Sequence, residues 1–338
     1  MDNRFKRVLV TGGAGYVGSS LVPKLLDAGY AVSVLDLYLY GDDLFKDFRG
    51  NSRLHEIKGD LRDPGSVSRS LEGCDAVIHL ACISNDPSFD LDPELGKSIN
   101  FDCFRPLVRA GKDAGVKRFI YASSSSVYGI KKEWNVTEDL PRQPLTDYSK
   151  FKAMCEDVLD EERELGFVTV IIRPATVCGY APRLRLDLTV NILTNLAITN
   201  SRITVFGGQQ LRPNLHIDDM TDLYVSLLEA DDIEVDGKVW NVGYHNLTVR
   251  EIAEMVRERV GDGIDIVVTP SDDDRSYRVS SERIFRDFGY SAKRSVSDAI
   301  LDLKSAFAAG RIPNSITDDR YYNVRRMRSV RLRSDVRV

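Results

Sequence analysis

The chain has 338 residues, 43% of them hydrophobic, which is enough for a large core and two lobes. With 46 Lys and Arg against 51 Asp and Glu the net charge is −5, so no global basic field points to nucleic acid, and an anionic ligand needs its own local arginines. Five cysteines without paired or metal-like spacing and four scattered histidines read as reduced thiols and no metal site. The opening MDNRFKR runs straight into a strand, and no apolar run reaches the roughly 18 residues of a membrane helix, so the expected location is cytoplasmic, with no membrane partner.

An apolar run over 7–11 ends in glycines at Gly12, Gly15 and Gly18, and a helical pattern over 16–28 follows. This strand, turn and helix, with G-x-x-G-x-x-G spacing, lets the backbone turn sharply and approach a pyrophosphate at a helix N-terminus, where Tyr16 and Val17 also lie. A second run, 31–35, ends at Asp36. A carboxylate there accepts hydrogen bonds from adenosine ribose hydroxyls and repels a 2′-phosphate, and Leu37 and Tyr38 follow it rather than Arg or Lys. The expected cofactor is NAD rather than NADP.

Alternation continues with a strand at 54–57, a helix at 64–71, a strand at 75–80, a helix at 93–115, a strand at 117–123, a helix at 147–165 and a strand at 167–173. The runs 76–80 and 118–122 are almost continuously apolar, as strands covered on both faces require. The fold class is therefore α/β: a doubly wound parallel sheet over 1–180, with a smaller mixed C-terminal substrate lobe. Beyond 180 come a helix near 187–199, a strand at 203–206, a helix near 219–230, a strand near 238–243 that rejoins the sheet, and short mixed elements over 262–315. The lobe is expected from 181–235 and 262–315. The tail, 320–338, holds seven arginines and one aspartate and reads as solvated and partly disordered; an anion-binding or subunit-contact role is the alternative.

Tyr148 and Lys152 are spaced Y-x-x-x-K at the start of a helical pattern, on one face and one turn apart. A cation there lowers the phenol pKa from about 10 toward neutrality, so that a tyrosinate can act as general base. Tyr128 and Lys132 repeat the spacing, but directly after a strand and with Gly129 between them, so they are not expected to form a helical pair. A run of four serines, 123–126, stands at the end of the strand at 117–123, where ligands of such sheets bind.

With these residues the chain resembles the extended short-chain dehydrogenase/reductase family, in particular its nucleotide-sugar epimerases and dehydratases, over nearly its whole length. The resemblance implies a Rossmann sheet with Ser124, four residues before Tyr128 of Val127-Tyr128-Gly129, as the catalytic serine beside Tyr148 and Lys152. It implies that Asp60 of Gly59-Asp60-Leu61 contacts the adenine amino group, with Leu61 beside it, and that Leu80 and Ala81 of His79-Leu80-Ala81-Cys82 line the dinucleotide. Asn100 steadies the active site, Pro174 of Arg173-Pro174 adjoins the nicotinamide, and Tyr148 and Lys152 also touch the cofactor. Ser125, Ser126 and Thr176 adjoin substrate, and Arg212 and Arg275 hold the phosphates of a nucleotide-diphosphate sugar.

Departures from the family narrow the chemistry. The 4,6-dehydratases carry Asp and Glu where this chain has Ser125 and Ser126, and the sugar-acid decarboxylases keep an acid at the second place. The 3,5-epimerases carry Cys there, and a His or Lys where Tyr180 and Ala181 stand. A serine hydroxyl without a partner is a poor base for a C–H proton. The implied activity is NAD-dependent 4-epimerisation through a 4-keto intermediate. A 4-ketoreductase or 4-dehydrogenase uses the same residues, and a non-catalytic dinucleotide-binding regulator is the reading from another class, disfavoured by the Tyr–Lys pair. The resemblance also implies a homodimer through helices 93–115 and 147–165, where Phe151, Met154, Cys155, Val158 and Leu159 offer more apolar surface than one sheet needs.

Overall fold

In the computed structural model, which describes residues 3–271, 276 and 278–330, twelve strands are β1 (Arg7–Thr11), β2 (Ala31–Asp36), β3 (Leu54–Lys58), β4 (Ala76–His79), β5 (Arg118–Ala122), β6 (Val168–Pro174), β7 (Thr176–Cys178), β8 (Arg202–Phe206), β9 (Leu211–His216), β10 (Lys238–Val242), β11 (His245–Thr248) and β12 (Asp265–Thr269). Seven form one parallel sheet in the order β10-β6-β5-β4-β1-β2-β3. The chain winds outward from β1 in both directions, so a crevice opens at the C-terminal ends of β1 and β4, where the strand order reverses.

Close backbone contact builds that crevice. A Cβ on Gly12, where φ is +72°, would lie 2.6 Å from the Ala81 amide nitrogen. One on Gly18, in the first turn of helix Tyr16–Asp27, would lie 2.4 Å from the Gly13 carbonyl oxygen. The helix start can therefore sit against the turn only because no side chain intervenes. Beneath the turn, Thr11 and His79 meet side chain to side chain at 2.7 Å. His79 is stacked among Phe104, Phe119 and Tyr121, and burial, then Lys152, pushes its pKa down to about 3, so it is a neutral core residue.

Several boundaries differ from the pattern in the sequence. The stretch expected as one helix, 93–115, breaks into Pro93–Lys97, a π-turn at Ser98–Asp102 and Phe104–Asp113. Within the wide turn the Asn100 side chain bonds both the amide and the carbonyl of Ile83, and its own carbonyl accepts from the Cys155 thiol at 3.2 Å. Helix Asp147–Glu161 stops earlier than expected, because the buried Glu162 carboxylate turns to Arg105, Arg109 and Lys112.

Lobe membership also changes. Helix Ile217–Glu229, expected in the substrate lobe, packs its Met220, Leu223, Tyr224 and Leu227 into the same core as Leu21 and Leu25 of helix Tyr16–Asp27. Fully buried Arg118 of β5 fixes its end, donating to the Ala230 carbonyl at 2.9 Å and pairing with Asp232 at 2.5 Å. Conversely β11 and helix Val249–Val260, which the sequence left unassigned, join the lobe. Ile252 and Val256 pack there with Leu193 of helix Thr189–Asn200 and Ile300 of helix Val296–Ala308.

The basic tail, as far as residue 330, is not a solvated strand of chain. A short turn, Asp319–Tyr321, leads into helix Asn323–Val330, which lays Met327 against Ile83, Leu95 and Ile99. The apolar residues expected at a dimer seam mostly serve their own subunit. Cys155, Val158 and Leu159 lie in the core, Phe151 stacks on Phe101, and Met154 alone of the five is exposed. Among the described residues no helix is long and apolar enough to cross a membrane.

The tight turn generates a stability prediction. Gly18→Ala must displace backbone rather than a flexible side chain, so it should cost about 1–3 kcal/mol in denaturant unfolding. Gly263→Ala, where an added Cβ meets nothing within 4 Å, should stay within about 0.5 kcal/mol of the parent.

Candidate active site

Helix Asp147–Glu161 begins with a capping box: Thr146 and Ser149 satisfy each other's backbone amides. The cap sets Tyr148 in the first turn, facing the crevice, with Lys152 one turn further on. Lys152 Nζ donates to the Ala122 carbonyl at 2.6 Å and stands 6.0 Å from the Tyr148 ring centre. From the opposite side comes the serine run, divided by geometry. Ser123 turns inward and donates to Glu156. Ser124 caps the short turn Ser125–Tyr128 and lines the cleft beside Tyr148, and its hydroxyl favours the phenolate. Ser126 donates to Ser124 Oγ at 2.8 Å.

The crevice is a cleft of about 420 Å³. Its walls bring together the glycine turn with Tyr16 and Val17, Asp36, Asp60 and Leu61, Leu80 and Ala81, Ser124 to Ser126, Tyr148, Lys152, Pro174 and Thr176. Asp36 accepts from the amides of Ala14 and Tyr38 at 3.0 and 2.7 Å, and burial raises its carboxyl above the ordinary range. Asp60 is held by a fork from Arg62, with Nη2 at 2.6 Å. Asn100 lies behind the wall, acting on the loop at Ile83 rather than facing the cleft. Arg212 stands on β9 opposite Leu247 of β11 and does not line the cleft; Arg275 lies outside the described residues.

Electrostatics add a second cation beside Tyr148. Burial, with Cys82 and Asp86, pushes the Tyr148 phenol well above its ordinary value, and Arg185 and the Ser124 hydroxyl pull it back. Arg185 is a cation that favours the phenolate, in addition to Lys152, whose Nζ is held on the Ala122 carbonyl. Tyr128, by contrast, is fully buried, accepting from Arg173 at 2.6 Å and donating to Asn241 at 2.7 Å. Its role is structural. Arg173 in turn is locked to Glu156 at 2.6 Å.

Other cleft residues come from segments that the sequence did not connect. Tyr40, Asp86, Arg183, Arg185, Asn323 and Met327 all face the cleft. Arg185 pairs with Asp187 at 3.0 Å and donates to Ser84 at 3.2 Å, while its Nη2 has no partner. Asp86 accepts from the Thr146 hydroxyl at 2.7 Å. The nearest signal was Arg183-Leu184-Arg185, two basic residues in an otherwise apolar stretch after β7. Away from the cleft, His216, Asp218 and Asp302 place potential ligand atoms within 4.8 Å of one another, but His216 already uses both nitrogens, on the Asp218 amide and on Asp302.

Residues 8–243 match the model of the NAD dependent epimerase/dehydratase family. The chain belongs to this family. It is 31% identical over 287 residues to a UDP-glucose 4-epimerase of Lactobacillus helveticus, covering 78% of this chain and 84% of that one. It is 29% identical over 306 residues to a dTDP-glucose 4,6-dehydratase of Streptomyces griseus, covering 87% and 91%. Among solved structures, the Bacillus cereus UDP-glucuronic acid 4-epimerase in complex with UDP-glucuronic acid and NAD superposes with a TM-score of 0.80 at 27% identity, covering 90% of this chain and 99% of that one. This epimerase/dehydratase-family protein is accordingly an NAD-dependent enzyme on a Rossmann sheet. Its cleft fits a dinucleotide: a glycine turn with no room for side chains, a carboxylate at the end of β2, and buried guanidinium atoms left without partners.

The charge beside Tyr148 is testable. Arg185→Met removes a cation that favours the phenolate, so the acid limb of the turnover–pH profile should move to higher pH. An unmoved limb would disconnect Arg185 from the base.

Proposed function

We propose that the enzyme is a nucleotide-sugar 4-epimerase. The observation that carries this reading is the pairing of Tyr148 with Ser124 at the C-terminal edge of the sheet, followed by two hydroxyls, Ser125 and Ser126, rather than carboxylates. NAD, when bound, supplies the hydride acceptor and donor. The glycine turn, Asp36 and Asp60 would hold its adenosine half and Pro174 and Lys152 its nicotinamide half. Tyr148 takes the proton from the sugar 4-hydroxyl and returns it after the 4-keto sugar has presented its other face. Ser124 donates to the same oxygen and orients it. Lys152, fixed on the Ala122 carbonyl, keeps positive charge near the phenol. The solved relatives bound to UDP-glucose or UDP-glucuronic acid support a nucleotide-diphosphate sugar as substrate. Arg212 is proposed to meet its phosphates from the edge of the lobe, together with Arg275.

The deciding experiment is incubation with UDP-, GDP-, CDP- and dTDP-sugars, following product identity and reduced cofactor together. A 4-epimer without net reduced cofactor supports the proposal. Accumulating reduced cofactor makes the enzyme a 4-dehydrogenase, and a 4-keto-6-deoxy product makes it a dehydratase. Pairing of two chains through Phe104–Asp113 and Asp147–Glu161 is a further proposal, resting on exposed Met154. A monomeric mass at micromolar concentration would end it.

Tyr148→Phe should lower turnover by roughly 10²–10⁴-fold with little change in sugar-nucleotide binding. Tyr128→Phe should leave turnover within a few-fold but destabilise the fold by about 1–3 kcal/mol, because Arg173 and Asn241 each lose a buried partner.

A further inference from the structure

Arg183 is a buried guanidinium without an anion. Among the described residues no carboxylate lies within ion-pair distance of it. Asp187 is taken by Arg185 at 3.0 Å, and both oxygens of Asp36 are occupied by main-chain amides. Burial pushes the Arg183 pKa down to about 10, and its Nε has no partner. A cation removed from water in this way is costly unless an anion meets it.

Its surroundings hold it in place for one. The backbone amide of Arg183 donates to Ser19 Oγ at 3.0 Å, in the first turn of helix Tyr16–Asp27. The guanidinium carbon lies over the Tyr40 ring, 3.5 Å from its centre, and the group donates to Asn323 of the C-terminal segment. Asn323 is itself fixed, its amide on Asp187 at 3.1 Å and its side-chain nitrogen on Ser84 at 2.9 Å. Arg326 reaches across to the Leu39 carbonyl, and Met327 closes the wall. Arg183 thus faces the cleft between the helix N-terminus and Asp36, the stretch where the adenosine-side phosphates of a dinucleotide run.

We propose that Arg183, clamped between Tyr40 and Asn323, binds the pyrophosphate of NAD from the side opposite the glycine turn, and that the segment 319–330 is a wall of the cofactor site. The glycine turn offers neutral main-chain donors; Arg183 supplies the compensating charge, in a planar fork that suits phosphate oxygens. The C-terminal segment then controls how long the cofactor stays. This rests on NAD as cofactor and not on the 4-epimerase reading.

The test is titration of the full chain with NADH, ADP-ribose, ADP and adenosine, comparing the parent with Arg183→Met, Arg183→Lys and Asn323→Ala. Arg183→Met should weaken NADH, ADP-ribose and ADP by roughly 10–100-fold and adenosine by less than about twofold. Arg183→Lys keeps the charge without the fork and should lose less, with the same selectivity for phosphate-bearing ligands; it carries the test if the methionine variant does not fold. Asn323→Ala should speed NADH release. Equal losses for adenosine and ADP would mean a collapsed wall rather than a phosphate contact and would overturn the proposal. So would unchanged ADP-ribose binding accompanied by weaker UDP binding, which would hand Arg183 to the sugar nucleotide. No step requires turnover of a sugar, so failure here leaves the epimerase proposal standing.

Discussion

The cleft depends on one steric constraint: the end of β1, the start of the following helix and the end of β4 must approach with no side chain between them. At Gly12 an added Cβ would strike Ala81, and at Gly18 it would strike the main chain of Gly13. That approach puts the helix N-terminus, with its unpaired amides and positive end, over the point where the sheet reverses direction. Every other wall of the cleft is placed relative to it. Tyr16 ties the turn to the second lobe by donating to the Gly179 carbonyl at 2.6 Å, and Asp36 returns to the turn by accepting from Ala14.

A second layer of order comes from buried charge. Arg173 and Glu156 neutralise each other in the sheet, and Ser123, Tyr128 and Arg142 complete their hydrogen bonds. This network supports the loop that carries Ser124 while keeping Ser123 and Tyr128 out of the chemistry. Around Tyr148 charge is deployed differently. Arg185 and Asp86 act on the phenol in opposite senses, within a site where burial alone would keep the phenol protonated. Arg173 and Glu156 are closed on each other, whereas two guanidinium groups facing the cleft keep free valences: Nη2 of Arg185 and Nε of Arg183.

Much of the site was legible because its signals are local. The glycine spacing, Asp36 one strand later, and Tyr148 with Lys152 one helical turn apart each lie within a few residues of the feature that gives them meaning. The Tyr128 repeat was set aside on the same kind of evidence, and Gly129 does mark a turn, with φ of +67° and room for no side chain against Gln143. Lobe membership was less legible. Helix Ile217–Glu229 and helix Val249–Val260 are both amphipathic, and an apolar stripe does not say which core it enters.

The sequence by itself determined the sheet, the dinucleotide turn and the placing of Tyr148 and Lys152 on one face of a helix, because periodicity, glycine conformation and helical spacing act over short stretches of chain. Tertiary structure alone decided where buried charge goes. Arg183 and Arg185 read as ordinary basic residues until folding removes their water and gives only Arg185 a carboxylate. The arginine-rich C-terminus read as a solvated tail by its composition. Its described part, as far as residue 330, is anchored by buried Asn323 and Met327 meeting partners more than a hundred residues away, at Arg183 and around Ile83. Neither pairing leaves a local trace, since desolvation and long-range contact are properties of the assembled chain.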